Sequence, residues 1–215
     1  MVAAVTCDII DSRKYSNEDR RKVNELIKSS FDDCIELLPK ARADKLSFSI
    51  IQGDEFQFVI QNPALVYQFV VYYRLILALN DLKPSFRAGI GLGEISISGE
   101  DSYKMDGSAF HNSRDAIQKI NTPKHKNRIT NIISGNKDLD AQFEIIAMYN
   151  DFIEQRWSDK QRKSIYLYKK LGSLEKAATN EAISYQAMQQ RIRISGYQQL
   201  DIGFINYQSL LIARL

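Results

Sequence analysis

The chain is poor in the residues that build soft-metal and disulfide sites, with two cysteines and two histidines among 215 residues. Cys7 and Cys34 belong to no CxxC or Cys/His cluster, which argues against structural zinc and against a disulfide framework. Two histidines exclude a His-rich metal centre. Long apolar runs are missing too. The longest, residues 63–79, is broken by Gln68 and Arg74 and falls short of a membrane span. No basic segment precedes an apolar one at the N-terminus, so a cytoplasmic location and no membrane partner are expected. A large charge excess is also absent. The net charge is +3, yet residues 151–215 carry 10 basic and 6 acidic side chains, while the first 150 carry 19 and 20. The surplus of base lies in the tail, a weak pointer to nucleic acid.

What remains is ordinary globular material, 44% hydrophobic and 26% charged, with length for one large domain or a medium one plus a small one. The stretch that organises it is Gln52-Gly53-Asp54-Glu55-Phe56, between the apolar runs 46–51 and 56–60. It reads as a β-hairpin turn with two carboxylates at its tip. Residues 2–7 form a β-branched run ending at Asp8, a strand that can lie beside the hairpin. Ser16 with Asp19 opens a helix that stops at Pro39, and the loop between, ending Asp11-Ser12-Arg13, leaves backbone amides free for an anion. Asn62-Pro63 starts a second helix to about residue 80. It is apolar nearly all round, so part of it faces a second chain or the C-terminal region, or else the helix lies wholly in the core. Arg87 then leads a strand with glycines at 89, 91 and 93, whose missing side chains admit something bulky or another backbone. Residues 95–98 read as its hairpin partner, residues 107–120 as a helix, and 128–134, after Thr122-Pro123, as a last strand. The order β-α-β-β-α-β with a late α-β addition predicts an α+β fold, a ferredoxin-like palm with helices layered on one antiparallel sheet. A helix over 139–157 is then expected to leave this domain.

The tail changes character. Ser158, Ser173 and Ser184 cap three helices, and Gly172 and Gly196 close the first and third. The second and third have helix-turn-helix proportions. On the third, Met188 and Ile192 face inward, leaving Tyr185, Gln186, Gln189, Gln190 and Arg193 as candidates to contact double-stranded DNA. The expected division is 1–137, 138–157 and 158–215.

Asp8 and Asp54, with Asp11 and Glu55 nearby, offer hard oxygens for Mg²⁺ or Mn²⁺, which prefers carboxylates plus substrate phosphates. Glu55 is either a ligand or an outward hairpin residue, since one step of register swaps faces. These residues carry a resemblance. Val5 to Ile9, the Gly53-Asp54 hairpin and the Arg87-x-Gly-Ile-Gly-x-Gly strand resemble, in that order, the catalytic domain of class III nucleotidyl cyclases, and the hairpin is similar to that of GGDEF diguanylate cyclases. With its tail, which resembles region four of sigma factors, the chain looks most like the SatD family. The resemblance implies metal ions on Asp8, the backbone of Ile9 and Asp54, with Glu55 a further candidate ligand; Ile9, Ser12, Arg13 and Arg87 are the candidates to hold a nucleoside triphosphate or related nucleotide, although Asp11-Ser12-Arg13 replaces the small and aromatic residues usual there.

The departures are specific. Where those cyclases carry an asparagine four residues after a glycine and an arginine eight after, this chain has His111 after Gly107 and Arg114 one place early. A shift of one residue turns a helical side chain by about 100°. Arg114 and His111 are the catalytic candidates, and metal and triphosphate binding carry over more safely than cyclisation. The leading expectation is a dimeric, nucleotide-sensing transcription regulator. The alternatives are an active Mg-dependent nucleotidyl cyclase or nucleotidyltransferase with a targeting tail, and a pair of interaction modules whose carboxylates serve only the turn.

Overall fold

A computed structural model of the chain describes residues 1–38, 47–52, 54–97, 101–122, 125 and 127–213. Pro39, Leu46, Gly53, Ser98 and Pro123, used in the expectations above, lie outside the described residues.

The protein is mixed α and β, with a five-stranded sheet in the order β2-β3-β1-β4-β5. The strands are β1 (Val2–Ile9), β2 (Ser47–Gln52), β3 (Glu55–Ile60), β4 (Phe86–Gly93) and β5 (Thr130–Ile133). β1 sits in the centre because it has almost nothing polar to show water: Ala3, Ala4, Val5 and Cys7 are fully buried. It pairs antiparallel with β3 on one side and β4 on the other. β5 lies parallel to β4, so the sheet is mixed where an antiparallel one was expected. The cause is the connection: a helix carries the chain back along β4 before β5 begins, and a crossover of that kind returns the next strand in the same direction.

α1 (Asn17–Leu37) and α2 (Pro63–Leu77) cover one face, meeting Ala3, Val5, Cys7 and Ile9 through Val23, Ile27, Phe31, Phe69 and Tyr73. α3 (Ser108–Ile120) covers the other, where Ala109 and Phe110 pack on Ala4 and Val59. Helices therefore lie on both faces, and the glycines of β4 are the reason. A Cβ on Gly91 would stand 2.0 Å from the carbonyl oxygen of Ala109, and one on Gly89 2.4 Å from the backbone nitrogen of Ile117. The strand and helix backbones touch because side chains are missing. The approach expected there is that of α3.

Local chemistry sets the helix ends. Ser16 accepts from the Asp19 amide, Asn62 caps α2 ahead of Pro63, and Ser158 forms a reciprocal capping box with Gln161. Of the expected hairpin partner 95–98, the described residues 95–97 form no strand: among the described residues only Ile97 makes an isolated bridge, to Asp106.

After β5 come α4 (Lys137–Glu154), α5 (Asp159–Leu171), α6 (Leu174–Asn180), α7 (Tyr185–Ile194) and α8 (Tyr197–Ile212). α4 lies along β5 and packs on α8. α8, which the sequence reading did not foresee, explains the all-round apolarity of α2. Tyr67 stacks edge-on against Phe204 and Tyr207, Tyr72 shares a hydrogen bond with Tyr197, and the Tyr207 hydroxyl donates to the Pro63 carbonyl at 2.8 Å. The C-terminal region covers α2, and the helix is buried along nearly its whole length, so these two of the readings considered for it hold together. One apolar core thus runs from the sheet into the tail, with Ile165, Met188, Ile192 and Leu200 joined to Val5 and Phe58.

Candidate functional site: a two-carboxylate sheet end beside a basic cavity

At the C-terminal end of β1 the chain turns, and two segments far apart in sequence are stitched together. The Ile9 amide donates to the Asp54 carbonyl at 3.0 Å, so the residue after Asp8 is bonded to the hairpin tip. Across the sheet Asp8 is paired with Glu55 on β3 and with Arg87 on β4. Directly opposed residues point to the same face, so Glu55, Asp8 and Arg87 form a row across three strands. Arg87 Nη1 stands 3.5 Å from Asp8 Oδ2. Burial pushes the Asp8 carboxyl above the usual aspartate range, the nearby charge of Asp54 adds to it, and Arg87 offsets part of both. Asp8 thus lies within the field of a second carboxylate.

The loop that follows is fixed in a tight shape. Asp11 adopts a left-handed backbone at φ 59°, its carboxylate bonds Lys14 at 2.5 Å, and residues 12–14 form a short 3₁₀ turn. Asp11 is therefore paired within its own turn and does not join the other acids. The Ser12 hydroxyl donates to Asp54 Oδ2 and sets that side chain's direction. Asp54 faces a cavity of about 310 Å³, floored by Ile9 and Val23, with Ser12, Arg13, Tyr15, Arg20 and Asn24 on its walls. That is the small end of the range for ligand sites. Among the described residues neither Arg13 nor Arg20 is in an ion pair. Arg20 and Asn24 were missed by the sequence reading. Their i, i+4 spacing on the helix that follows the loop is the signal that could have found them.

No group of three or more His, Cys, Asp or Glu side chains converges as a metal site among the described residues. The oxygen-rich pair itself suits a hard cation that keeps most of its waters. Burial is the larger cause of the raised Asp8 pKa, and the Asp54 repulsion that adds to it is the kind a divalent ion would relieve.

The remaining expected residues lie elsewhere. α3 begins at the Gly93 end of β4, where Gly93 pairs with Val2, at the opposite end of the strand from Arg87 and Asp8. His111 and Arg114 are exposed near that start, and His111 Nε2 lies 3.4 Å from Asp106 Oδ1. The structure does not bring them to Asp8 and Asp54 within one chain. On α7, Tyr185, Gln186, Gln189, Gln190 and Arg193 are all exposed, and Met188 and Ile192 are buried. Arg191 is different. It is tied to Glu181 at 2.7 Å and fastens α7 to α6.

The fold and this sheet end define a mixed α+β protein with a paired-carboxylate strand terminus and a helical tail sharing its core. A family model for SatD matches residues 2–200, and the chain belongs to the SatD family. None of the curated proteins compared matches it. Among the described residues no helix is long and apolar enough to cross a membrane.

Proposed function

We propose that this protein is a nucleotide-sensing DNA-binding regulator, its first 137 residues a cyclase-like palm and its tail a helix-turn-helix. The observation that carries the nucleotide half is the placement of Asp54 on the wall of one cavity with Arg13 and Arg20, next to Asp8. A Mg²⁺ or Mn²⁺ ion held by Asp8, Asp54 and the Ile9 backbone would supply charge neutralisation for phosphate oxygens. Arg13 and Arg20 supply fixed positive charge that suits the same oxygens. Ser12 holds the Asp54 carboxylate in place, and Arg87 offsets part of the charge of Asp8. His111 and Arg114 lie away from this end, which weighs for binding over cyclisation.

The DNA half is supported by the exposed polar face of α7. Glutamine amides suit adenine edges in the major groove and Arg193 suits a phosphate. The shared core offers a physical route between the halves, because Tyr197, just after α7, bonds Tyr72 of α2. Coupling would require that nucleotide and DNA each bias the same two arrangements.

Calorimetric titration with each of the four nucleoside triphosphates, with and without Mg²⁺, tests the first half. Metal-dependent binding that disappears in Asp54→Ala and weakens in Arg20→Ala supports it, and no binding by any triphosphate ends it. Duplex DNA titrated at two salt concentrations tests the second. An affinity that falls with salt and with Arg193→Gln supports it, and one indifferent to both removes it.

A further inference from the structure

α4 has one buried side and, opposite it, an exposed apolar one. Its inner side, with Phe143, Ala147, Asn150 and Glu154, is buried against β5 and α8. Its outer side carries Ile145, Met148, Tyr149 and Phe152, exposed to 57%, 48%, 66% and 56%. The spacing i, i+3, i+4, i+7 puts these four in one stripe, within an arc of about 100° centred opposite the buried side. Four large apolar side chains in a row on one helix are a patch, and patches of this kind mark contact surfaces.

The ends of the stripe say what covers it. Asp138 lies in the first turn of α4 and Arg156 just beyond the last, and both are exposed. Eighteen residues separate them, and at about 3.6 residues per turn that is five whole turns, so the two charges lie on the same line down the helix as the stripe. Among the described residues neither is in an ion pair. The Arg156 guanidinium stacks on the Phe152 ring at 3.4 Å and donates to the Phe152 carbonyl, which holds it over the end of the stripe. An acid and a base equidistant from Ala147, with apolar residues between, is a self-complementary arrangement.

We propose that α4 pairs with α4 of a second copy of this chain through its outer stripe, antiparallel about a two-fold axis that crosses the helix at the level of Ala147. In that register each Asp138 meets Arg156 of the other copy, and Ile145 of one lies against Tyr149 of the other. The interface is isologous, as a two-fold dimer requires, and opposed helix dipoles favour it. The pairing uses none of the residues at the β1 end or on α7 and stands apart from the proposed nucleotide and DNA contacts.

Sedimentation equilibrium of the full chain across a wide concentration range, with circular dichroism to check each variant's fold, is the experiment. The expected result is a concentration-dependent dimer that Tyr149→Glu with Phe152→Glu converts to a monomer. Asp138→Arg alone and Arg156→Asp alone should each raise the dimer dissociation constant about tenfold at low salt, since two symmetric pairs are lost together. The two reversals in one chain should restore it. A protein that stays monomeric throughout, a dimer indifferent to Tyr149→Glu with Phe152→Glu, or charge reversals that fail to rescue each other would overturn the pairing.

Discussion

Arg74 and Glu154 form a two-point ion pair in the interior, Nε to Oε1 at 2.7 Å and Nη2 to Oε2 at 2.8 Å, with side chains 2% and 8% exposed. Arg74 Nη2 also reaches Thr130 Oγ1 at 2.9 Å, so one guanidinium ties α2, α4 and β5 together. Removing one partner leaves the other charged and unpaired away from water. Glu154→Gln or Arg74→Leu should therefore destabilise by about 3–5 kcal/mol, while Arg74→Met with Glu154→Leu should lose much less than the sum. Urea unfolding of the three variants measures this, and additive losses would contradict it.

Asp151 sits beside that pair and gives the fold a pH dependence. It is buried and accepts from the amides of Ile129 and Thr130 at 2.8 and 3.0 Å through Oδ2, while Oδ1 has no partner among the described residues. Burial is the main cause that lifts its carboxyl to about 6, against the lowering effect of Arg74 and the two amides. A raised acid pKa means that the native state binds the proton more tightly than the unfolded chain. Its contribution to stability is thus fully present below the ordinary aspartate range and is lost as pH rises through about 6. Between pH about 4 and about 7 the wild type should lose roughly 3 kcal/mol that Asp151→Asn does not lose. Unfolding midpoints of both proteins across that window give the difference, and parallel curves would refute it.

The glycines of β4 separate two reasons for the same residue. At Gly91 an added Cβ meets backbone atoms of Ala109 and Ser113 at 2.0 and 2.2 Å, which no side-chain rearrangement can relieve. Gly172 has a left-handed φ of 74° but nothing within 4 Å of the added atom. Gly91→Ala should cost about 3 kcal/mol or more by forcing α3 off the sheet, and Gly172→Ala about 1–2 kcal/mol of backbone strain alone. Thermal unfolding ranks the two, and the reverse order would show that α3 yields easily.

These residues also mark how far the sequence could be read. Caps were legible because their chemistry is local: Ser16, Asn62, Ser158, Ser173 and Ser184 each accept an amide where the first turn begins. The meeting of Asp8 with the hairpin was legible from two apolar runs that could only pair in a sheet. What Gly89, Gly91 and Gly93 admit was not, since a missing side chain says that something approaches and not from which face. Arg74 looked like an interruption of an apolar helix, because its partner lies 80 residues away. The cover of α2 by α8 was hidden for the same reason. Residues 95–98 alternate in the way a strand does, yet alternation does not supply a neighbouring strand to bond.

Asp8 provides the most direct test of the site. Without a cation, its raised pKa again favours the protonated form, so this group stabilises the fold at low pH and loses that contribution as pH rises. A divalent cation reverses the preference, because only the ionised pair can hold it. Added Mg²⁺ should therefore raise the melting temperature at pH about 7.5 and lose its effect as pH falls into the carboxylate range. Asp54→Asn removes the like charge, so the Asp8 pKa should fall toward the ordinary value while the Mg²⁺ response disappears. Carboxyl resonances of Asp8 followed by NMR through a pH titration, with and without Mg²⁺, read both effects in one experiment. An Asp8 titration that ignores both the cation and Asp54→Asn would mean that the two acids do not act as a pair.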